Sequence, residues 1–221
     1  MTILYIFLLA AGASFVQRTT GFGFGIFIMT ALPFLMPSYG EATALSGLLA
    51  LTTSIAIVAR FRKYITLKRL LPILLTFIIV SAIAICLLTR IEGRTMRIVL
   101  GVLLILISLY FSFFKDRIRQ YIRPTLPTQI GAGTLSGIMG GLFGMQGPPA
   151  VLYFISSEPD KDHYMAMTQT YFLIGNAMMT LVRAYNGFVT PTVGTTYLYA
   201  LGGVLLGTLA GSWAFRHIPN R

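Results

Sequence analysis

Residues 136–149 read Ser136-Gly137-Ile138-Met139-Gly140-Gly141-Leu142-Phe143-Gly144-Met145-Gln146-Gly147-Pro148-Pro149. Five glycines and a tandem proline interrupt an otherwise apolar segment, and they lie inside 34 consecutive positions, 124–157, that carry no charge. Residues 184–215 form a second charge-free run, of 32. A helix spans a bilayer with about 20 apolar residues, and a soluble fold cannot bury runs of this length. The sequence therefore predicts an all-α polytopic membrane protein.

Composition agrees. Of 221 residues, 56% are hydrophobic and 10% charged, where a soluble domain carries roughly 25% charged. Mean hydropathy is +0.79. The 17 Lys and Arg against 6 Asp and Glu give a net charge of +11. Most of the basic residues stand at segment ends, where they set orientation, so no nucleic-acid partner is expected. A lone Cys86, with His163 and His217 far apart, excludes a disulfide framework and a structural zinc site. Neither a metal site nor a cofactor motif is read. Cys86 is expected in the core, and the 16 Phe and 11 Tyr mostly at the lipid face and its borders. Residues 2–16 lack the basic flank of a secretory signal and are expected to stay in the mature protein.

Nine apolar segments follow one another: 3–17, 20–37, 41–59, 69–89, 97–114, 126–144, 147–157, 164–185 and 192–215. Sliding the chain by 121 residues lays Gly12 on Gly133, Phe22-Gly23 on Phe143-Gly144 and Arg62 on Arg183. Each half then reads as short piece, Gly-rich break, short piece, long helix, long helix. The expected organisation is a first membrane repeat over 1–96, a linking helix and basic loop over 97–123, and a second repeat over 124–221. Arg60, Arg62, Lys63, Lys68 and Arg69 place the loop after the third segment inside, as Lys115, Arg117, Arg119 and Arg123 place 115–123 and Arg216 and Arg221 the C-terminus. Residues 37–41, 90–97 and 186–191 then lie outside, against the local excess of Arg90, Arg94 and Arg97 over Glu92. The two repeats of broken plus full transmembrane helices are thereby inverted, a plan used for alternating access.

The first break reads Val16-Gln17-Arg18-Thr19-Thr20-Gly21-Phe22-Gly23-Phe24-Gly25. Unwound backbone at membrane depth survives only where protein buries it or it lines a wet cavity, so paired breaks point to a substrate site. Half-helices that start after a break aim N–H groups and a positive dipole end at the gap. Gly21, Gly23, Gly25, Gly144 and Gly147 let an anion approach the backbone, and Pro148 disfavours a regular helix before it. Gln17, Thr19, Thr20 and Gln146 offer side-chain hydrogen bonds, and Arg18 is the one charge before residue 41. Asn176 and Gln169, seven apart on one helix, either line the pathway or bond across helices. The donors suit a small oxyanion, and no carboxylate stands near for a cation. The glycine series 133/137/141 and 203/207/211 are expected to pack helices. Arg183, the mate of loop residue Arg62, is expected at a basic segment end.

At these two motifs the chain resembles the sulfite exporter TauE/SafE family of bacterial membrane transporters. The likeness rests on Gly12-Ala13-Ser14-Phe15-Val16-Gln17 running into Gly21-Phe22-Gly23-Phe24-Gly25, and on residues 137–149. It implies movement of sulfite, an organosulfonate or a related oxyanion across a bacterial inner membrane, with Gln17, Gly21, Gly23, Gly25, Gly144, Gln146, Gly147 and Pro148 in the substrate region. Arg18 departs from the small residue expected there. The implied partners are a small anion and the lipid bilayer. A coupling proton or sodium ion and a homodimer are compatible with the sequence. The competing classes are a membrane-embedded hydrolase, for which Ser136 with His163 is the only semblance of a nucleophile and base, and a non-transporting membrane subunit. Thiol labelling of Ile65→Cys and Val189→Cys tests the trace: position 65 should react only from inside and 189 only from outside. Labelling of both from one side would refute the inverted arrangement.

Overall fold

The structure, a computed structural model, describes residues 1–113, 122–158 and 160–217. Every regular element among them is helical. In chain order these are α1 (Thr2–Thr20), α2 (Phe24–Met29), α3 (Leu32–Leu35), α4 (Tyr39–Phe61) with a 3-10 turn at Arg62–Tyr64, α5 (Leu67–Leu88), α6 (Gly93–Phe113), α7 (Leu126–Phe143), α8 (Gly147–Ser157), α9 (Lys161–Tyr185) and α10 (Pro191–His217). Five stretches are long and apolar enough to cross a bilayer: Thr2–Thr20, Tyr39–Tyr64, Leu67–Leu88, Gly93–Tyr110 and Pro191–Phe215. The chain is an all-α polytopic membrane protein. The segment expected over 20–37 divides twice, after α1 and again at residues 30–31. Lys115, Arg117, Arg119 and Arg221 lie outside the described residues.

Helix ends are set by local chemistry. At the start of α4 the Ser38 hydroxyl accepts from the Glu41 N–H while the Glu41 carboxylate accepts from the Ser38 N–H, satisfying two end donors at once. The second Glu41 oxygen accepts the Thr190 hydroxyl at 2.6 Å, tying this end of α4 to the start of α10. At the other end of the bundle Asp160 caps α9 by accepting from the N–H groups of Asp162 and His163. Those bonds, the one from His163 first, hold its carboxyl below the usual range.

Small residues decide which helices touch. Gly203, Gly207 and Gly211 of α10 press on the backbone of Phe7, Ala11 and Phe15 in α1. Both registers climb together, so α1 and α10 are parallel. In α7, methyl groups on Gly133, Gly137 and Gly141 would stand 2.6, 3.1 and 2.8 Å from the carbonyl oxygens of Ile73, Phe77 and Ser81, making α5 and α7 a second parallel pair. Without a hydrophobic drive between helices in lipid, this backbone approach supplies the packing. Each pair joins a helix preceding α6 to one following it. Between them α4 and α9 run antiparallel, with Ser54 at Gln169 and Gly47 at Thr180.

One sequence expectation needs correcting. Cys86 is exposed rather than internal: α5 turns Ala84 toward Gly141 of α7, so Cys86 shares the outward face of Ile79 and Ile83. Inside the bundle Phe77, Tyr171 and Phe154 meet at tilted angles with ring centroids 5.1 and 5.7 Å apart.

Gly207→Ala would drive a methyl group into the Ala11 carbonyl. Overpacking against backbone costs about 1–3 kcal/mol, so this variant should melt measurably below the parent protein in detergent. Gly194→Ala on the same helix meets nothing within 4 Å and should not. Equal melting of the two variants would remove the close-packing account.

Candidate functional site

Both breaks depend on left-handed backbone. α1 ends at Gly21 (φ 84), and α2 starts from Gly23 (φ 97). α7 ends at Gly144 (φ 68). A side chain at these angles is strained, and glycine is not. The breaks lie some 120 positions apart in sequence, yet they abut. A methyl on Gly25 would stand 2.5 Å from the Gly144 carbonyl oxygen and 3.2 Å from Met145 Cα.

A cavity of about 30 Å³ sits at this junction, lined by residues 23–26 of the first break and 144–147 of the second, with Gln17 of α1, Ala50 of α4, and Phe172 and Asn176 of α9. That is room for a couple of waters, at about 10–15 Å³ each; a polyatomic anion requires the walls to part. No lining side chain is ionisable. What it offers is amide: Gln17, Gln146, Asn176, backbone N–H groups, and the positive end of α8, which starts at Gly147. The Gln146 amide nitrogen donates to the Phe172 carbonyl at 3.3 Å, while its oxygen, buried, accepts nothing from the described residues.

Gln17 also closes the cavity on one side. Its amide nitrogen donates to Gln169 Oε1 at 3.0 Å and to Ser54 Oγ at 3.3 Å, and Ser54 donates to the same Gln169 oxygen at 3.2 Å. Gln169 Nε2 then donates to the Gly21 carbonyl at 2.6 Å, capping the unwound end of α1. This network faces the end of the bundle that carries Arg62, Lys63 and Asp160. A second cavity of about 320 Å³ lies at that end, lined by Arg69, Gln129, Tyr153, Ser157 and Glu158 among others. Burial pushes the Glu158 carboxyl above the usual carboxylate range, with Arg69 opposing it.

The structure thus brings Gln17, Gly23, Gly25, Gly144, Gln146, Gly147 and Asn176 together and leaves the other expected site residues off the lining. Arg18 is buried against α10, its Nε donating to Ser212 Oγ at 2.7 Å and its stem lying over Gly211. Thr19 and Thr20 spend their hydroxyls on carbonyls of α1. Gly21 presents its carbonyl to Gln169, and Pro148 sits in the first turn of α8. Arg183 is a correction of another kind. Expected at a basic segment end, it is fully enclosed, 0% exposed, with Nη2 donating to the carbonyls of Gly140 and Gly141 at 2.8 and 3.2 Å.

The chain matches the family described as sulfite exporter TauE/SafE over residues 6–221, nearly its whole length. It belongs to that family. Neither the curated proteins nor the solved structures contain a match for it. TauE/SafE proteins are membrane transporters rather than enzymes, so this member is a multi-pass transporter of a small anion.

In this TauE/SafE protein the junction has no spare space, and Gly25→Ala should force the breaks apart. Anion flux should fall at least roughly tenfold, as about 1.4 kcal/mol of misplacement suffices for that. Gly194→Ala, whose methyl meets nothing within 4 Å, serves as the folding control. Wild-type flux in Gly25→Ala would mean that the junction is not on the path.

Proposed function

We propose that this protein carries sulfite, an organosulfonate or a closely related sulfur oxyanion across a bacterial inner membrane by alternating access. The observation that carries the reading is the meeting of two glycine breaks at one small cavity whose lining side chains are all uncharged. An anion there is held by dipoles and N–H groups rather than by a fixed counter-charge, which favours binding weak enough for release. Gln17, Gln146, Asn176 and the backbone of residues 23–25 and 144–147 are the proposed contacts.

The inverted-repeat division, 1–96 and 124–221 around the link 97–123, supplies the symmetry that alternating access needs. The bodies that rock are nevertheless not the halves themselves. α1 is locked to α10, and α5 to α7, by glycine-on-backbone contacts. Each proposed rigid body therefore contains one helix from each half, with α4 and α9 between them. The basic end, with Arg60, Arg62, Lys63, Lys68 and Arg69, is assigned to the cytoplasm.

Coupling to protons carried on the substrate itself is favoured over a carboxylate relay. Glu41, the most buried acid, has both oxygens committed to holding helix ends. Among the described residues no three His, Cys, Asp or Glu side chains cluster. The hydrolase reading gains no geometry: His163 pairs with Asp160 at 2.9 Å and packs its ring on Tyr64.

Proteoliposomes containing the purified protein should accumulate radiolabelled sulfite, with thiosulfate, sulfoacetate and phosphonates as competitors. Asn176→Leu should raise KM roughly fivefold, the equivalent of one hydrogen bond of about 1 kcal/mol. Protein-independent flux for sulfite and the whole competitor panel would refute the proposal.

A further inference from the structure

Gln169, Asn176 and Arg183 follow each other on α9 at intervals of seven residues, two helical turns or roughly 10 Å apart on one face. The first belongs to the network that closes the break cavity, and the second lines the cavity. The third lies two turns further toward the end opposite the basic loops, and the transport reading has so far given it no task.

Its surroundings are unusual. Arg183 is 0% exposed, and Nη2 is spent on the last turn of α7, but Nε and Nη1 have no hydrogen-bond partner. No carboxylate pairs with it: the one ion pair among the described residues is His163 with Asp160. Glu41, the acid at this end of α4, has its oxygens occupied by Ser38 and Thr190. A methyl on Gly47 of α4 would stand 3.3 Å from Arg183 Nη1 and 3.5 Å from Thr180 Oγ1, so both pack directly against Gly47. Tyr39 lies close enough to act electrostatically on the guanidinium. Thr180 Oγ1 and Tyr39 Oη are buried without partners as well.

A buried arginine with unused donors and no counter-charge is expensive in a membrane protein unless an anion completes it. A guanidinium fork fits two oxygens of an oxyanion, and flanking hydroxyls can donate to the remainder. We propose that Arg183, with Thr180 and Tyr39, forms a second anion-binding station on the transport path, about two helical turns beyond the break cavity. This rests on the reading of the chain as an anion transporter. Two stations at this spacing give the anion a charged stop after a neutral one, so it can leave the cavity without crossing a charge-free gap.

The test uses thiol labelling and needs no flux. In purified Cys86→Ala protein carrying Thr180→Cys, an anionic methanethiosulfonate should react faster than a cationic one of similar size. Sulfoacetate or sulfate, which leave the reagent intact, should slow that reaction. Arg183→Gln should abolish the protection and lower the anionic preference by roughly tenfold, the scale of one partly screened unit charge. Arg183→Lys should restore both in part. Gly47→Ala keeps the charge but sets a methyl 3.3 Å from Nη1, in the way of an oxyanion there, so it should lose protection and keep the preference; it decides the matter if Arg183→Gln does not fold. A cysteine at 180 that neither reagent reaches, absent protection with Arg183 in place, or protection that survives both substitutions would overturn the station. Protection and charge preference without sulfite flux would instead leave this site standing and remove the assigned substrate.

Discussion

The close approach of two unwound backbones, with Gly25 seated against the carbonyl of Gly144, is the constraint on which the architecture depends. Irregular backbone cannot face lipid, because its N–H and C=O groups would go unsatisfied at several kcal/mol each. The remaining helices must therefore enclose both breaks together. α4 and α9 contribute Ala50, Phe172 and Asn176 as a wall, and the Gln17–Ser54–Gln169 network caps the loose end of α1 by reaching the Gly21 carbonyl. The glycine-lined seams of α1 with α10 and of α5 with α7 then fix the helices from which the breaks hang.

Enclosure also decides the electrostatics. Charges are costly at this depth, and the cavity is built without any. On the proposed reading an anion is attracted there by oriented dipoles, which need no counter-ion when the site is empty. Arg183 is the exception that the packing tolerates, since the final carbonyls of α7 are C-terminal and carry partial negative charge. They neutralise part of the guanidinium without using it up. A carboxylate there would have formed a closed ion pair with nothing left for a ligand.

Much of this was legible in the sequence. The apolar segments came out close to the helices because length and hydropathy are one-dimensional quantities. The breaks came out because glycine and proline mark backbone, and backbone irregularity in lipid has few explanations. Rotation about a helix was not legible. Arg18 and Arg183 both sit near the end of an apolar run, and length and hydropathy do not show which way either side chain turns. Arg18 adjoins the first break in sequence, but a turn of α1 aims it at Ser212. Arg62, the repeat mate of Arg183, lies in the exposed 3-10 turn after α4, whereas α9 continues past the equivalent point. A signal was available: Gln169, Asn176 and Arg183 share a seven-residue spacing, so two pathway candidates already named the face on which the third had to lie.

The same geometry bears on how the cavity could open. Parting the walls requires the breaks to separate, yet each break is continuous with a helix locked into a seam. On the proposed alternating-access reading the change is absorbed by the backbone between the locked parts, and the left-handed glycines 21, 23 and 144 are the described residues there whose dihedral angles are least restricted by a side chain. Gly21 is also the residue whose carbonyl Gln169 holds. Loosening that one bond would free the end of α1 while leaving both seams intact. The positions that make the cavity possible are thus the positions best able to let it change shape, and the amide network beside them is placed to govern when they do.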